Sequence, residues 1–142
     1  MAKGSFAGRL AGLFGGGKGA GAQPDAGGYA TGQVWQYRTR PGDEGSLLKI
    51  QQVEAGGDAG PICHISIIGV HVGPDGTIND IAHAPVSATT LDKSVTELAK
   101  TSARFQDVKP GIADWRAAKG GVFTLSVAEI VDTIDGVARN AG

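Results

Sequence analysis

Apolar and polar positions alternate in short runs in the first half of the chain, and turn-forming residues separate the runs. The first run covers residues 32–38 and the second covers 47–54, which is mixed in polarity and typical of a half-exposed strand. The intervening segments 41–45 and 56–60 contain the proline and glycine residues that tight turns require. Connections this short favour an antiparallel meander, which a third run continues.

This third run, residues 62–72, is substantially apolar on both faces. One face carries Ile62, His64, Ser66, Ile68, Val70 and Val72, and the other carries Cys63, Ile65, Ile67, Gly69 and His71. Two apolar faces predict a central strand that is covered on both sides. Sheet curvature or a partner subunit could cover the second face. Gly69 interrupts the run and indicates either a β-bulge or a close approach of another backbone segment.

Helical periodicity replaces this alternation in the second half of the chain. A turn at 74–76 leads to a segment that could add one more short strand, and Leu91, Val95 and Leu98 then recur at helical spacing and predict a helix. The pattern predicts a short helix at residues 112–119 and a strand at residues 122–125.

The most secure helix is the last one. Ser126 and Glu129 form a capping box, in which each side chain accepts a hydrogen bond from a backbone N–H of the first turn. An apolar arc follows the box. Strands followed by helices predict an α+β fold with one mainly antiparallel sheet of four or five strands and helices packed on one face. This fold occupies residues 29–142 as a single domain.

The segment that precedes the domain differs from it in composition. Of the 24 glycines in the chain, 10 lie in residues 1–28. Phe6, Leu10, Leu13 and Phe14 follow helical spacing, but the interior glycines oppose a helix. The prediction is a disordered or weakly helical tail, and the alternative is weak contact of residues 3–18 with a membrane surface.

Charge and cysteine content exclude several classes of function. The net charge is −1, which gives no strong signal for nucleic-acid binding. Cys63 is the single cysteine, so an intrachain disulfide and a zinc cluster of several thiolates are excluded, and a reducing cytoplasmic location is expected. Neighbouring strand residues point to opposite faces, so Cys63 and His64 cannot form a catalytic dyad. No metal, cofactor or assembled catalytic set is predicted.

The segment 35–44 carries the least ordinary chemistry. Tyr37, Arg38 and Arg40 lie close to Asp43 and Glu44. Arginine can bind carboxylate or phosphate bidentately, so this is either an anion-binding edge or a surface ion-pair network. His64 and His83 are added to the candidates because an imidazole could act as a general base. The candidate binding residues are therefore Tyr37, Arg38, Arg40, Glu44, His64 and His83.

Several motifs carry a resemblance to known proteins. They are Gly-Gln-Val-Trp-Gln-Tyr-Arg-Thr-Arg-Pro-Gly-Asp-Glu at 32–44, His-Ile-Ser at 64–66, His-Ala-Pro at 83–85, Leu-Asp-Lys-Ser-Val at 91–95 and Trp-Arg at 115–116. Together they resemble a family of small uncharacterised bacterial proteins, from residue 32 to about residue 135. The resemblance implies a bacterial cytosolic protein with no known activity, so it assigns no functional residues.

A second resemblance concerns the loop at 42–44. Gly-Asp-Glu there is similar to the Gly-x-Glu loop near the start of MazF-like endoribonuclease toxins. The Arg-Pro expected after this loop comes before it, as Arg40 and Pro41. The similarity would carry weight only in a small barrel.

These patterns lead to one functional expectation and two alternatives. We expect a non-catalytic binding or accessory module that contacts a protein partner or self-associates through its sheet. One alternative is a nuclease-like enzyme for a phosphate-containing substrate, with Arg40 as the anion clamp and His64 or His83 as the base. The enzyme gains support if Arg40, Glu44 and a histidine share one cleft, and loses it if they scatter. The other alternative is a membrane-peripheral protein that uses its tail.

Overall fold

The computed structural model describes residues 28–57 and 60–141. Within these residues the chain forms five strands and three helices. In chain order they are β1 (Val34–Tyr37), β2 (Leu47–Glu54), β3 (Ile62–His71), β4 (Ile78–Ser87), α1 (Ala88–Asp92), β5 (Val95–Leu98), α2 (Lys109–Ala117) and α3 (Val127–Ala141). The predicted tail, apart from Gly28, lies outside the described residues. No helix in the described part of the chain has the length and apolar character to cross a membrane.

The strands form one sheet in the order β4-β3-β2-β1-β5. Every neighbouring pair is antiparallel, and β1 to β4 follow one another as a meander. The predicted α+β class and the antiparallel sheet are therefore confirmed. The two edge strands, β4 and β5, are not paired with each other, so the sheet is open and is not the barrel that the MazF-like similarity would need.

The main core lies between one face of the sheet and α3. Leu48 and Ile50 of β2 lie opposite Ile67 and Ile65 of β3, and all four side chains are fully buried. Val127, Ile130 and Val131 of α3 belong to the same hydrophobic cluster. The predicted capping box is confirmed, because Ser126 Oγ accepts from Glu129 N at 3.2 Å and Glu129 Oε1 accepts from Ser126 N at 3.1 Å.

The opposite face of β3 is covered within the chain itself. His64 and Ser66 point to this face and are fully buried. Trp115 of α2 packs edge-on against His64, with ring centroids 5.0 Å apart. The carbonyl of Gln106, in the segment before α2, accepts a hydrogen bond from Ser66 Oγ at 2.8 Å. The prediction that both faces of this strand are covered is correct. The second cover is α2 with its preceding segment, so the helices lie on both faces of the sheet and not on one as expected.

A bulge at Gly69 changes which residues of β3 share a face. Gly69 has φ +78°, a conformation that L side chains rarely adopt, and the pairing with β4 shifts register between Ile67 and Val70. The predicted bulge is confirmed. Val70 consequently joins Ile67 in the main core, so its expected place on the face of Ile68 is wrong.

Two element predictions in the second half are also wrong. The helix expected from Leu91, Val95 and Leu98 is limited to α1, which ends at Asp92, and the chain then forms β5. Val95 and Leu98 pair with Tyr37 and Trp35, because the exposed edge of β1 offers backbone hydrogen bonds that override a weak helical pattern.

The expected strand at 122–125 contributes only a single parallel bridge between Phe123 and Val86. The additional strand suggested after the turn at 74–76 is longer than expected, because β4 runs over ten residues along the edge of β3.

Candidate functional site

Two polar clusters contain most of the candidate residues. The cleft cluster consists of Arg40, Asp43, His71, Asp135 and Arg139, and it joins the β1–β2 turn and the end of β3 to α3. The histidine cluster consists of Glu54, His64, His83, Trp115 and Arg116, and it lies between the sheet and α2.

Arg40 occupies the centre of the cleft cluster, and each of its three guanidinium nitrogens has a protein partner. Nε donates to Asp43 Oδ2 at 2.9 Å and Nη2 donates to the carbonyl of His71 at 2.7 Å. Nη1 donates to Asp135 Oδ2 at 3.1 Å and, more weakly, to Asp132 Oδ1 at 3.4 Å. The Arg40 side chain is only 16 % exposed, and its hydrogen bonds connect the β1–β2 turn, the end of β3 and α3.

Asp43 is the buried anion of this cluster. Its Oδ1 accepts hydrogen bonds from both the backbone N and Nδ1 of His71, each at 3.0 Å. Burial alone would raise the pKa of Asp43, but the hydrogen bonds from His71 and Arg40 lower it below its ordinary value. The carboxylate is therefore charged at neutral pH, in an ionised network that needs no ligand to satisfy it.

Asp135 anchors α3 to the turn after β3. Its Oδ1 accepts from the backbone N of Gly73 at 2.8 Å, and both carboxylate oxygens accept from Arg139 Nε at 3.0 Å. The hydrogen bond from Gly73, followed by that from Arg139, lowers the pKa of Asp135.

An open cleft of about 830 Å³ lies over this cluster. Its walls are residues of the β1–β2 turn, His71 and one side of α3. The lining includes four carboxylates and two guanidinium groups, so its formal charge is −2 with His71 neutral. The Asp132 side chain is 75 % exposed at the rim, whereas Asp43 is buried at the base.

The histidine cluster is a chain of hydrogen bonds across the second face of the sheet. Glu54 Oε2 lies 3.1 Å from His64 Nε2, and His64 Nδ1 lies 2.8 Å from His83 Nε2. Arg116 forms an ion pair with Glu54 and also lies over the Trp115 ring. Strand alternation makes the contact possible, because His83 and Pro85 flank Ala84, which pairs with the core residue Ile65, and they therefore lie on the face of His64. A bulge follows, since two residues, Ala82 and His83, lie between the pairings of Ile65 and Ile67.

Burial keeps both imidazoles neutral at pH 7. It lowers the pKa of His64, although Glu54 acts in the opposite direction, and it lowers the pKa of His83 to about 4 with a further contribution from His64. Burial would raise the pKa of Glu54, but Arg116 and His64 lower it. Arg116 and Glu54 thus form a charged pair beside two neutral rings.

The remaining candidate residues are distributed over the domain. Tyr37 is buried, its hydroxyl lies 2.7 Å from Ser46 Oγ, and burial raises its pKa to about 12. Arg38 is exposed and donates to the carbonyl of Lys93 at 3.4 Å. Glu44 accepts from the backbone N of Gly42 at 2.9 Å, and this bond lowers its pKa. The structure therefore places Arg40 in the cleft cluster with His71, and His64 with His83 in the other cluster, while Glu44 caps its own turn.

Cys63 and Ser126, whose side chains could act as nucleophiles, both have structural roles. Cys63 is fully buried in the main core, and burial raises the pKa of its thiol to about 11. Ser126 caps α3. In residues 28–57 and 60–141, no group of three or more histidine, cysteine, aspartate or glutamate side chains is arranged to hold a metal ion.

Sequence reasoning missed most partners in both clusters. Asp135 and Arg139 lie on the polar side of α3, and their spacing of four is an ordinary helical ion-pair signal. The hydrogen bond between Arg40 and Asp135 spans 95 residues in sequence, which no local pattern indicates. Glu54 and Arg116 are separated by 62 residues in the same way.

No protein-family model, curated protein or solved structure matches this chain.

Proposed function

We propose that this protein is a non-catalytic binding module and that its partner, a protein segment with basic side chains, binds in the cleft above Arg40. The cleft is wide, open and preorganised by an ion-pair network, as a binding surface built on rigid elements is. The exposed carboxylate of Asp132 at the rim complements a basic side chain.

One observation carries this proposal. The groups best suited to chemistry are committed to other groups of the fold: Arg40 to Asp43 and Asp135, His64 to Glu54 and His83, and Ser126 to the first turn of α3. A catalytic site requires a nucleophile or base within reach of a bound substrate. In the cleft, the imidazole of His71 is likewise hydrogen-bonded to Asp43, and no cysteine or serine is among the residues that line the cleft.

The phosphate-enzyme alternative has less support. Arg40 would have to exchange carboxylate partners for a phosphate in a cleft of formal charge −2. The neutral histidines named as its base, buried His64 and half-buried His83, belong to the other cluster. A reducing cytoplasmic location and the membership of a family of small bacterial proteins remain part of the proposal, supported by the single cysteine and the motifs at 32–44 and 83–85.

Quantitative affinity capture with matched charge-reversal variants tests the proposal. Asp132→Lys reverses charge at the cleft rim, and Asp114→Lys makes the same change on the exposed side of α2, outside the cleft. We expect a partner captured by the wild-type protein to be retained by Asp114→Lys and lost by Asp132→Lys. The purified pair should then bind more weakly as salt concentration rises. Capture that is insensitive to Asp132→Lys would contradict the assignment of the cleft.

A further inference from the structure

Residues 99–117, here called the strap, cross the face of the sheet opposite the main core. The carbonyl of Gln106 accepts from Gln51 Nε2 at 2.5 Å and from Ser66 Oγ at 2.8 Å. The ammonium group of Lys49 lies over the Phe105 ring, 5.9 Å from the ring centroid. These contacts hold the first half of the strap, and the histidine cluster holds the second half.

The strap is attached by polar contacts and by a few apolar side chains outside the main core. Val108 and Ile112 are buried, Phe105 and Trp115 are half-buried, and none of the four belongs to the main hydrophobic cluster. The sheet surface beneath it presents the buried polar side chains of His64 and Ser66. A segment that buries little apolar area can separate from a domain while the core stays folded. The strap is therefore the part of the described fold best suited to local release.

The histidine pair is the contact most sensitive to protonation. The gap of 2.8 Å between His64 Nδ1 and His83 Nε2 accommodates one hydrogen, so one ring donates and the other accepts. If both rings carry an added proton, two N–H groups and two positive charges face each other across this gap. The helix packs closely on the pair, since a Cβ on Gly111 of α2 would lie only 2.5 Å from the Cβ of His83.

The charged groups around the pair modulate its first protonation. Glu54 of β2 faces His64 and stabilises a proton there, while Arg116 of α2 pairs with Glu54 and opposes that proton. His83 of β4 contacts the other ring nitrogen of His64, Nδ1. One added proton can thus be shared among Glu54, His64 and His83, whereas two cannot be.

We propose that the strap is an acid-released cover: when the His64–His83 pair takes a second proton, residues 99–117 separate from the sheet and uncover the polar surface around His64, Ser66 and Gln51. The direction follows from the covered state, in which the pKa of both histidines is below its ordinary value of 6.5. Protons therefore bind better after release, so the covered state is favoured above pH 6.5 and loses stability as the pH falls from 6.5 towards about 4. This device is independent of the cleft and of its partner.

Hydrogen–deuterium exchange of the full chain, read by mass spectrometry, tests the release. After correction for the intrinsic pH dependence of exchange, lowering the pH from about 7 to about 5 should speed exchange in α2 by about tenfold. Exchange in α3 should not change, because its core contacts lie on the other face. His83→Gln cannot take up the proton and should remove the response. His71→Gln, which alters the histidine of the cleft cluster, is the matched control and should retain it.

Several results would overturn the proposal. They are a strap that exchanges equally at both pH values, a strap that opens only together with α3, a response that persists in His83→Gln, and a response that disappears in His71→Gln. A titration of the imidazole nitrogens by NMR in the wild-type protein does not depend on how the variants fold. The pair should take its second proton over the pH range in which the strap opens, and a pair already doubly protonated at neutral pH would refute the mechanism.

Discussion

Ile67 and Ile68 are neighbours on β3 in different environments. Ile67 is fully buried in the main core, while Ile68 is partly exposed on the second face, beyond the residues that the strap contacts. We expect Ile67→Ala to destabilise the protein by about 2–5 kcal/mol, because it removes buried methyl groups and leaves a cavity. Ile68→Ala should cost less. Denaturant unfolding measures both, and a cost of about 0.5 kcal/mol or less for Ile67→Ala would contradict the central position of β3.

Ser126 has a role that can be separated from any function. Its Oγ accepts from Glu129 N and its backbone N donates to Glu129 Oε1. Ser126→Ala removes the first of these bonds, so a loss of about 0.5–2 kcal/mol is expected in the free energy of unfolding. Partner capture, compared at equal folded fraction, should stay at the wild-type level. A folded Ser126→Ala protein that captures no partner would show that this serine does more than cap α3.

At the scale of elements, the features that could be predicted are those set by residues close to one another in sequence. The capping box and the turn-separated meander depend on residues close in sequence, and both were predicted. β5 was not, because Val95 and Leu98 repeat at a spacing that also suits a helix, and only the unpaired edge of β1 decides between the two. The same limit applies to the site. Arg40 was identified from its neighbours, but its partner Asp135 is brought to it by the packing of α3.

Two helical glycines have opposite surroundings and give a matched test of element packing. Gly111 on α2 packs directly against His83, whereas a Cβ on Gly136 of α3 would meet no atom within 4 Å. Alanine is favoured over glycine in a helix by about 0.5–1 kcal/mol. Gly136→Ala should therefore raise the thermal midpoint. Gly111→Ala should lower it, because the new methyl group would push α2 away from β4.

Hydrogen–deuterium exchange separates a local effect on α2 from a loss of stability in the whole domain. Exchange in α2 should increase in Gly111→Ala while α3 remains protected. A Gly111→Ala protein as stable as Gly136→Ala would show that α2 does not pack closely on the sheet.

At the scale of the whole molecule, the two clusters predict how stability depends on pH. The pKa values of the two histidines of the histidine cluster lie below 6.5 in the folded state, so their contribution is present above that pH and declines as the pH falls towards about 4. Asp43, Glu54 and Asp135 also have lowered pKa values, and their contribution declines only at lower pH, below their ordinary values of 3.8 for aspartate and 4.5 for glutamate. Both contributions decrease with acid, in two successive ranges.

We therefore expect the thermal midpoint to fall in two steps as the pH is lowered from neutrality, and calorimetry at closely spaced pH values would resolve them. His83→Gln should reduce the upper step, between pH 6.5 and about 4, because the variant leaves His64 as the one titratable ring of the pair. Asp43→Asn should lower the midpoint at neutral pH and reduce the lower step, since it removes the buried anion that Arg40 and His71 contact. Asp114→Asn, on the exposed side of α2, is the control and should change neither step. A midpoint that stays constant down to about pH 3 would mean that neither cluster is ionised as its geometry requires.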